Sequence, residues 1–241
     1  MSTSSKPDGR SAWGDLTPVD ARWSPRLFAQ ALRSERPPSD RAFDRFLPRE
    51  LRALSGKYWT PLAVAARAAE WLDELNAQTV VDIGSGTGKF CVAAALLANA
   101  QFTGIEQRLR LVDASAQLAG IFDLHQRITF IHSKFGEAPV PKADAYYMYN
   151  PFGENLFGLE DRLDDDVELG QARYLRDVAA VEQLLRDASV GTLLLTYNGF
   201  GGDLPSDFRE VRVDRELPSV LRMWRKMDRT SSVALRSGSS V

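Results

Sequence analysis

The stretch Thr79-Val80-Val81-Asp82-Ile83-Gly84-Ser85-Gly86-Thr87-Gly88-Lys89-Phe90 constrains the fold more than any other part of the chain. Its β-branched, apolar start predicts a buried strand over residues 79–83. Alternate glycines follow, and the alanine-rich segment from Lys89 to Asn99 predicts a helix. Glycine has no Cβ, so the backbone can turn tightly and come close to a ligand. The helix behind the turn aims its free N–H groups at whatever lies there. A strand, a glycine turn and a helix in that order place a ligand at the carboxyl end of the strand, the edge where open α/β sheets bind ligands.

The rest of the chain continues the alternation. Strands are predicted at Phe102–Glu106, Ile128–Ile131, Asp144–Tyr149 and Thr192–Tyr197, and helices at Leu109–Phe122 and Leu169–Ala188. Such alternation gives a parallel sheet covered by helices on both faces. Two last strands, Phe208–Val213 and Val220–Met227, are close enough in sequence to form a hairpin and add an antiparallel member. Upstream, Phe28, Ala31 and Leu32 share one helical face and Phe43, Phe46 and Leu47 another, with Pro37-Pro38 between them and Ser39 or Asp40 as cap of the second. A further helix is expected from Thr60-Pro61, with the threonine as cap and the proline in the first turn. The resulting division is a disordered N-terminus over 1–16, an N-terminal helical cap over 17–75, an α/β core over 76–228 and a disordered tail over 229–241.

Composition narrows the function. The chain has 241 residues, 44% of them hydrophobic and 26% charged, enough apolar material for a full core. The net charge of −2 argues against nonspecific nucleic-acid binding driven by overall charge. The apolar run from Phe90 to Ala98 is far short of the about 20 residues that cross a bilayer. The N-terminus carries no apolar leader core. Cys91 is the one cysteine, and His125 and His132 are the only histidines, so no metal site is expected. A reduced, cytoplasmic, metal-independent protein is the expectation.

The glycine turn selects among ligands. A triphosphate loop needs a glycine five residues before Gly88 and Ser or Thr after Lys89; Ile83 and Phe90 stand there instead. A dinucleotide turn needs one more residue between its last two glycines. Asp82 would repel a pyrophosphate but attract the ammonium of an amino acid. S-adenosylmethionine has that ammonium, a cationic sulfur and an adenosine, and no phosphate. Glu106, at the end of the second predicted strand, stands where an acid reaches the ribose hydroxyls of an adenosine ligand.

With these residues in place, the chain resembles the seven-strand, Rossmann-like class I superfamily of S-adenosylmethionine-dependent methyltransferases over about residues 57 to 228. The resemblance implies a mostly parallel seven-stranded sheet and S-adenosyl-L-methionine as cofactor. It implies that Asp82, Gly84, Gly86 and Gly88 hold the methionine end and that Glu106 holds the ribose, with Ser85 and Gln107 as further cofactor contacts. The family's third strand ends near an acid that contacts adenine. Ile131-His132-Ser133-Lys134-Phe135 has none, so Ser133 or a backbone group would serve and Phe135 would cover the adenine face.

The acceptor side is expected at Tyr149-Asn150-Pro151-Phe152. An asparagine oxygen and a carbonyl beside proline can accept two hydrogen bonds from an –NH2 group and aim its lone pair at a methyl group. This segment resembles the Asn-Pro-Pro-aromatic signature of amino-methyltransferases acting on adenine, cytosine or glutamine amide, without the second proline. Lys57-Tyr58-Trp59-Thr60-Pro61 resembles the segment of seven-strand protein-lysine methyltransferases that folds over the cofactor, with Thr and Pro reversed; Tyr58 and Thr60 are then cofactor contacts. Tyr197-Asn198-Gly199 forms a loop on the same edge.

Glu160, Asp161, Asp164, Asp165, Asp166 and Glu168 are read as an acidic rim that would attract a cationic acceptor and repel nucleic acid. Arg33, Arg36, Arg41, Arg45, Arg49 and Arg52 leave a nucleic-acid contact open on the N-terminal side. The expected activity is N-methylation of a protein side-chain amine of lysine type, favoured over a small-molecule amine. A cofactor-binding protein without transfer and a nicotinamide-dependent oxidoreductase are the rivals.

Overall fold

A computed structural model describes residues 23–228. The stretches expected to be disordered, 1–16 and 229–241, and the first residues of the expected cap, 17–22, lie outside them. Seven strands form one sheet: β1 (Thr79–Ile83), β2 (Gln101–Glu106), β3 (Ile128–His132), β4 (Ala145–Tyr149), β5 (Leu193–Tyr197), β6 (Phe208–Asp214) and β7 (Leu221–Lys226). Their order is β3-β2-β1-β4-β5-β7-β6. The first five are parallel; β7 runs antiparallel to β5, and β6 antiparallel to β7. The closing hairpin therefore inserts its second strand, β7, beside β5 and leaves β6 at the edge.

Alternation along the strands divides the core. Val80, Phe102, Tyr147 and Leu195 face one apolar cluster, and Val81, Ile83, Met148 and Leu194 the other. On the first face lie α1 (Pro25–Leu32), α5 (Leu62–Glu74), α6 (Lys89–Leu97) and α7 (Leu109–Ile121). The second face is covered by α8 (Gln171–Asp187), through Val178, Val181 and Leu185. Helices thus flank both faces, as expected, but unequally.

Between α1 and α5 lie the short turns α2 (Asp40–Phe43), α3 (Arg49–Arg52) and α4 (Ser55–Tyr58). Phe28, Phe43 and Phe46 meet Phe122 at the end of α7, with the Phe43 and Phe122 rings stacked 5.9 Å apart. This aromatic knot joins the N-terminal helices to the sheet's helical layer. Thr60 is not the cap expected for α5. Pro61 occupies that position, and the missing side-chain acceptor comes from Asp40, whose Oδ1 accepts the Leu62 N–H at 2.9 Å. Thr60 instead turns inward to the Tyr147 hydroxyl, 3.0 Å away.

Candidate active site

The chain reverses its strand order between β1 and β4, where the loops behind neighbouring strands diverge and leave a crevice. The glycine loop leaves β1 there and Asn150-Pro151-Phe152 leaves β4. The loops touch: a Cβ on Gly84 would lie 2.9 Å from the Pro151 Cβ. Gly84, Gly86 and Gly88 have φ of 76°, 55° and 70°, the left-handed region that side chains disfavour. The chain's own packing also demands these glycines. A Cβ on Gly86 would meet the Trp59 ring at 2.7 Å, and one on Gly88 the Phe130 ring at 2.6 Å.

Two adjoining cavities open at this edge. The larger, about 180 Å³, is lined by Gly86, Glu106, Gln107, Ser133 and Phe135 on one side and Asn150, Pro151 and Phe152 on the other. The smaller, about 20 Å³, is lined by Thr60, Asp82 and Ser85. Tyr58, Trp59, Gly84 and Tyr149 border both. Every site residue expected from the sequence lines one cavity or the other except Gly88, which caps α6 and packs against Phe130 behind them.

The electrostatics follow from burial. Asp82 is buried, and desolvation pushes its carboxyl to about 7; the Cys91 thiol, donating at 3.5 Å, pulls it down and the Glu106 charge pushes it up. Glu106 is also raised by burial, countered by the Arg108 N–H on Oε1 at 2.9 Å, the Arg108 charge and the Gly86 N–H on Oε2 at 3.0 Å. Both carboxylates are thus desolvated and poised to gain from a cationic or hydroxylic partner. The Ser85 and Thr87 hydroxyls are buried without a hydrogen-bond partner. Gly104 makes room for one of them, since a Cβ there would lie 2.6 Å from the Ser85 Oγ. A glycine inside a strand marks such a close approach, so the sequence held this signal unread.

At the acceptor end, Asn150 is exposed, with φ of 39°. Its N–H donates to Gly199 and its carbonyl accepts from Gly153, both at 3.1 Å. The side-chain amide is stacked over Gly153, where a Cβ would be 2.3 Å from Nδ2. Phe152 does not offer a free face for stacking. It is buried in the core beneath α8, with its ring 5.5 Å from that of Phe135. Tyr149 leans on Tyr197, 4.8 Å between ring centres.

The acidic stretch after β4 is largely paired. Arg108, buried, forms a two-pronged bridge to Glu154 and reaches Asp164 at 2.7 Å; Arg110 holds the same Asp164. Burial works against the Asp164 charge, but the two guanidinium groups hold its pKa below the ordinary carboxylate value. Lys57 bonds Asp161 at 2.7 Å, and the Tyr58 hydroxyl donates to the Asp161 carbonyl. These bridges join the segment after β4 to β2's end and to residues 57–58 across the mouth of the larger cavity. Among the described residues no cluster of metal-ligating side chains occurs, and no helix is long and apolar enough to cross a membrane.

No protein-family model matches the sequence, and no curated protein matches it. Solved structures do match its fold. An RNA methyltransferase from Salinibacter ruber in complex with S-adenosyl-L-homocysteine is 20% identical, with a TM-score of 0.51 over 70% of this chain and 94% of that one. A putative O-methyltransferase from Klebsiella pneumoniae is 12% identical, with a TM-score of 0.55 over 86% and 98%. TrmN from Thermus thermophilus is 16% identical, with a TM-score of 0.53 over 81% of this chain and 55% of that one. The strand order, the position of the glycine loop and these likenesses agree: the chain has the seven-strand, Rossmann-like fold of class I methyltransferases.

Proposed function

We propose that the chain is an S-adenosylmethionine-dependent N-methyltransferase. The observation that supports this reading is the contact of the two switch-point loops at Gly84 and Pro151, which brings the loop that follows the buried Asp82 against the loop that carries the exposed Asn150. The residues fit the cofactor. Asp82, ionised, would hold its ammonium, Ser85 would donate to its methionine end, Glu106 would accept from its ribose, and Ser133 and Phe135 would border its adenine. When bound, the cofactor supplies an electrophilic methyl group on a sulfonium.

The chain's own residues would supply position. The Asn150 carbonyl is already taken by Gly153, so the Asn150 side-chain oxygen and the Pro151 carbonyl are the acceptors this segment offers an –NH2 group. Two such bonds orient a nitrogen lone pair, and positioning of this kind supplies a large part of a displacement barrier. Tyr58, Trp59 and Tyr149 wall the cavity with aromatic surface.

The expectation of a protein side-chain amine as acceptor rests on the two partial resemblances and on the acidic rim. With Asp161 and Asp164 paired, less negative charge faces a cationic chain. Proteins of the same fold include an RNA methyltransferase and a mitomycin 7-O-methyltransferase. The local chemistry at Asn150 favours a planar amino or amide nitrogen, whether on protein, nucleic acid or small molecule. Incubation with methyl-labelled cofactor and fractionated cell extract tests the reading. Label should enter one fraction with the native chain and not with Asn150→Ala. Cofactor binding with no labelled fraction would leave a binding protein without transfer.

A further inference from the structure

The larger cavity is lined by one buried ion pair that the proposed transfer does not use. Arg173 and Asp177, one turn apart on α8, both border it. They are 7% and 5% exposed. Both Asp177 oxygens accept from the Arg173 Nε at 2.8 Å. Asp177 therefore balances the guanidinium charge, and no excess charge is left. Donors are left instead. The two Nη groups of Arg173 take no acceptor among the described residues. A charged donor without a partner is costly where little water reaches it, so an acceptor arriving through the cavity is gained at that edge.

The fold puts this edge at the acceptor loop. Buried Asn155 ties the two together: its Nδ2 donates to the Phe152 carbonyl at 3.0 Å, and its Oδ1 accepts the Gly170 N–H at 3.2 Å. Gly170 is the residue before α8, and Arg173 stands in the first turn of that helix. The helix start is itself open. No side chain caps it, and no acid stands in its first turn. A helix N-terminus favours negative charge, and an arginine placed there runs against the helix dipole unless anions surround it. Asp177 supplies one such anion from within α8.

We propose that the Nη groups of Arg173 hold an oxyanion of the methyl acceptor, a carboxylate or a phosphate ester on the same molecule as the amino nitrogen. The inference rests on the methyltransferase reading and narrows its acceptor to an anionic amine. Arginine binds either oxyanion through paired, charge-assisted bonds. Asp177 is a positioning residue, fixing the guanidinium plane through Nε. A lysine side chain offers these donors nothing to bond.

The test titrates the full chain with benzoate, phenyl phosphate and the uncharged benzamide. Saturating S-adenosylhomocysteine is present throughout, so that the cofactor's own carboxylate site is not the reporter. At least one anion should bind about tenfold more tightly than benzamide. The tighter anion assigns carboxylate or phosphate, and equal affinities assign a site that takes both. Arg173→Gln/Asp177→Asn replaces the pair by neutral amides of similar shape and should erase the preference while S-adenosylhomocysteine still binds. Arg173→Lys keeps the charge but loses the fork and should weaken the anion about tenfold. Should the double variant fail to fold, Arg173→Lys decides. No preference over benzamide at millimolar concentration, or a preference that these variants keep, overturns the proposal. A native chain that does not bind S-adenosylhomocysteine counts against the methyltransferase reading; one that binds it and shows no anion preference counts against this inference alone.

Discussion

The Trp59 ring lies against Gly86 so closely that a Cβ on the glycine would come within 2.7 Å of its Cζ3. The residue that gives the cofactor loop its turn is therefore also the seat of an N-terminal aromatic. Gly86→Ala meets two penalties, the positive φ and the ring, and is expected to cost about 2 kcal/mol. The two residues are in contact, so their effects should not add. Thermal unfolding of Gly86→Ala, Trp59→Leu and the double variant checks this: the alanine should cost less once the indole is gone. Additive losses would mean that the ring does not constrain the loop.

Asp82 gives a pH signature. Its folded-state carboxyl lies near 7 against an ordinary 3.8. Between those values the folded chain holds a proton that the unfolded chain releases, so this group makes stability fall as pH rises through the window. Asp82→Asn should remove that slope and unfold at higher temperature than the native chain at pH 8. Cofactor binding should run the other way, because an ammonium needs the ionised carboxylate. Affinity for S-adenosylhomocysteine should rise about tenfold from pH 6 to pH 8 in the native chain, and calorimetry of Asp82→Asn should show neither the affinity nor its pH dependence.

Lys89 ties the N-terminal helices to the helix behind the glycine loop through Asp40 and Asp44. Lys89→Met leaves Asp40 and the buried Asp44 without the ammonium that both bond. Breaking a buried pair from one side costs about 3 kcal/mol or more. Lys89→Met/Asp44→Asn should recover part of the loss in a denaturant melt.

Asn150 and Phe152 separate function from structure although one residue lies between them. Asn150→Ala touches an exposed side chain, so cofactor affinity should hold and stability should fall by only about 1 kcal/mol, the cost of alanine at this positive φ, while turnover falls on the order of 100-fold. Phe152→Ala empties a core position against Phe135 and should cost about 3–5 kcal/mol of stability. Parallel melts and methylation assays of the two variants check the split.

The strands and the glycine loop were legible because their signals are local. The buried run over β1 is bounded by glycine, and its predicted limits are those of the structure. Glu106 was legible by the same token, as the last residue of the next strand. What stayed hidden depends on partners far apart in sequence. Nothing about Lys89 announces Asp40 and Asp44, and nothing about Arg108 announces Glu154 and Asp164. The acidic stretch read as an open rim because a run of carboxylates shows its charge but not its counterions. Likewise Gly84, Gly86 and Gly88 announced a turn, while Pro151, Trp59 and Phe130, which crowd them, come from three other segments.

Isothermal titration of the purified chain with S-adenosylhomocysteine bears most directly on the central claim. One site should be filled with measurable heat, Glu106→Ala should weaken it, and NAD should give none. A folded chain that takes up NAD and ignores S-adenosylhomocysteine would contradict the account.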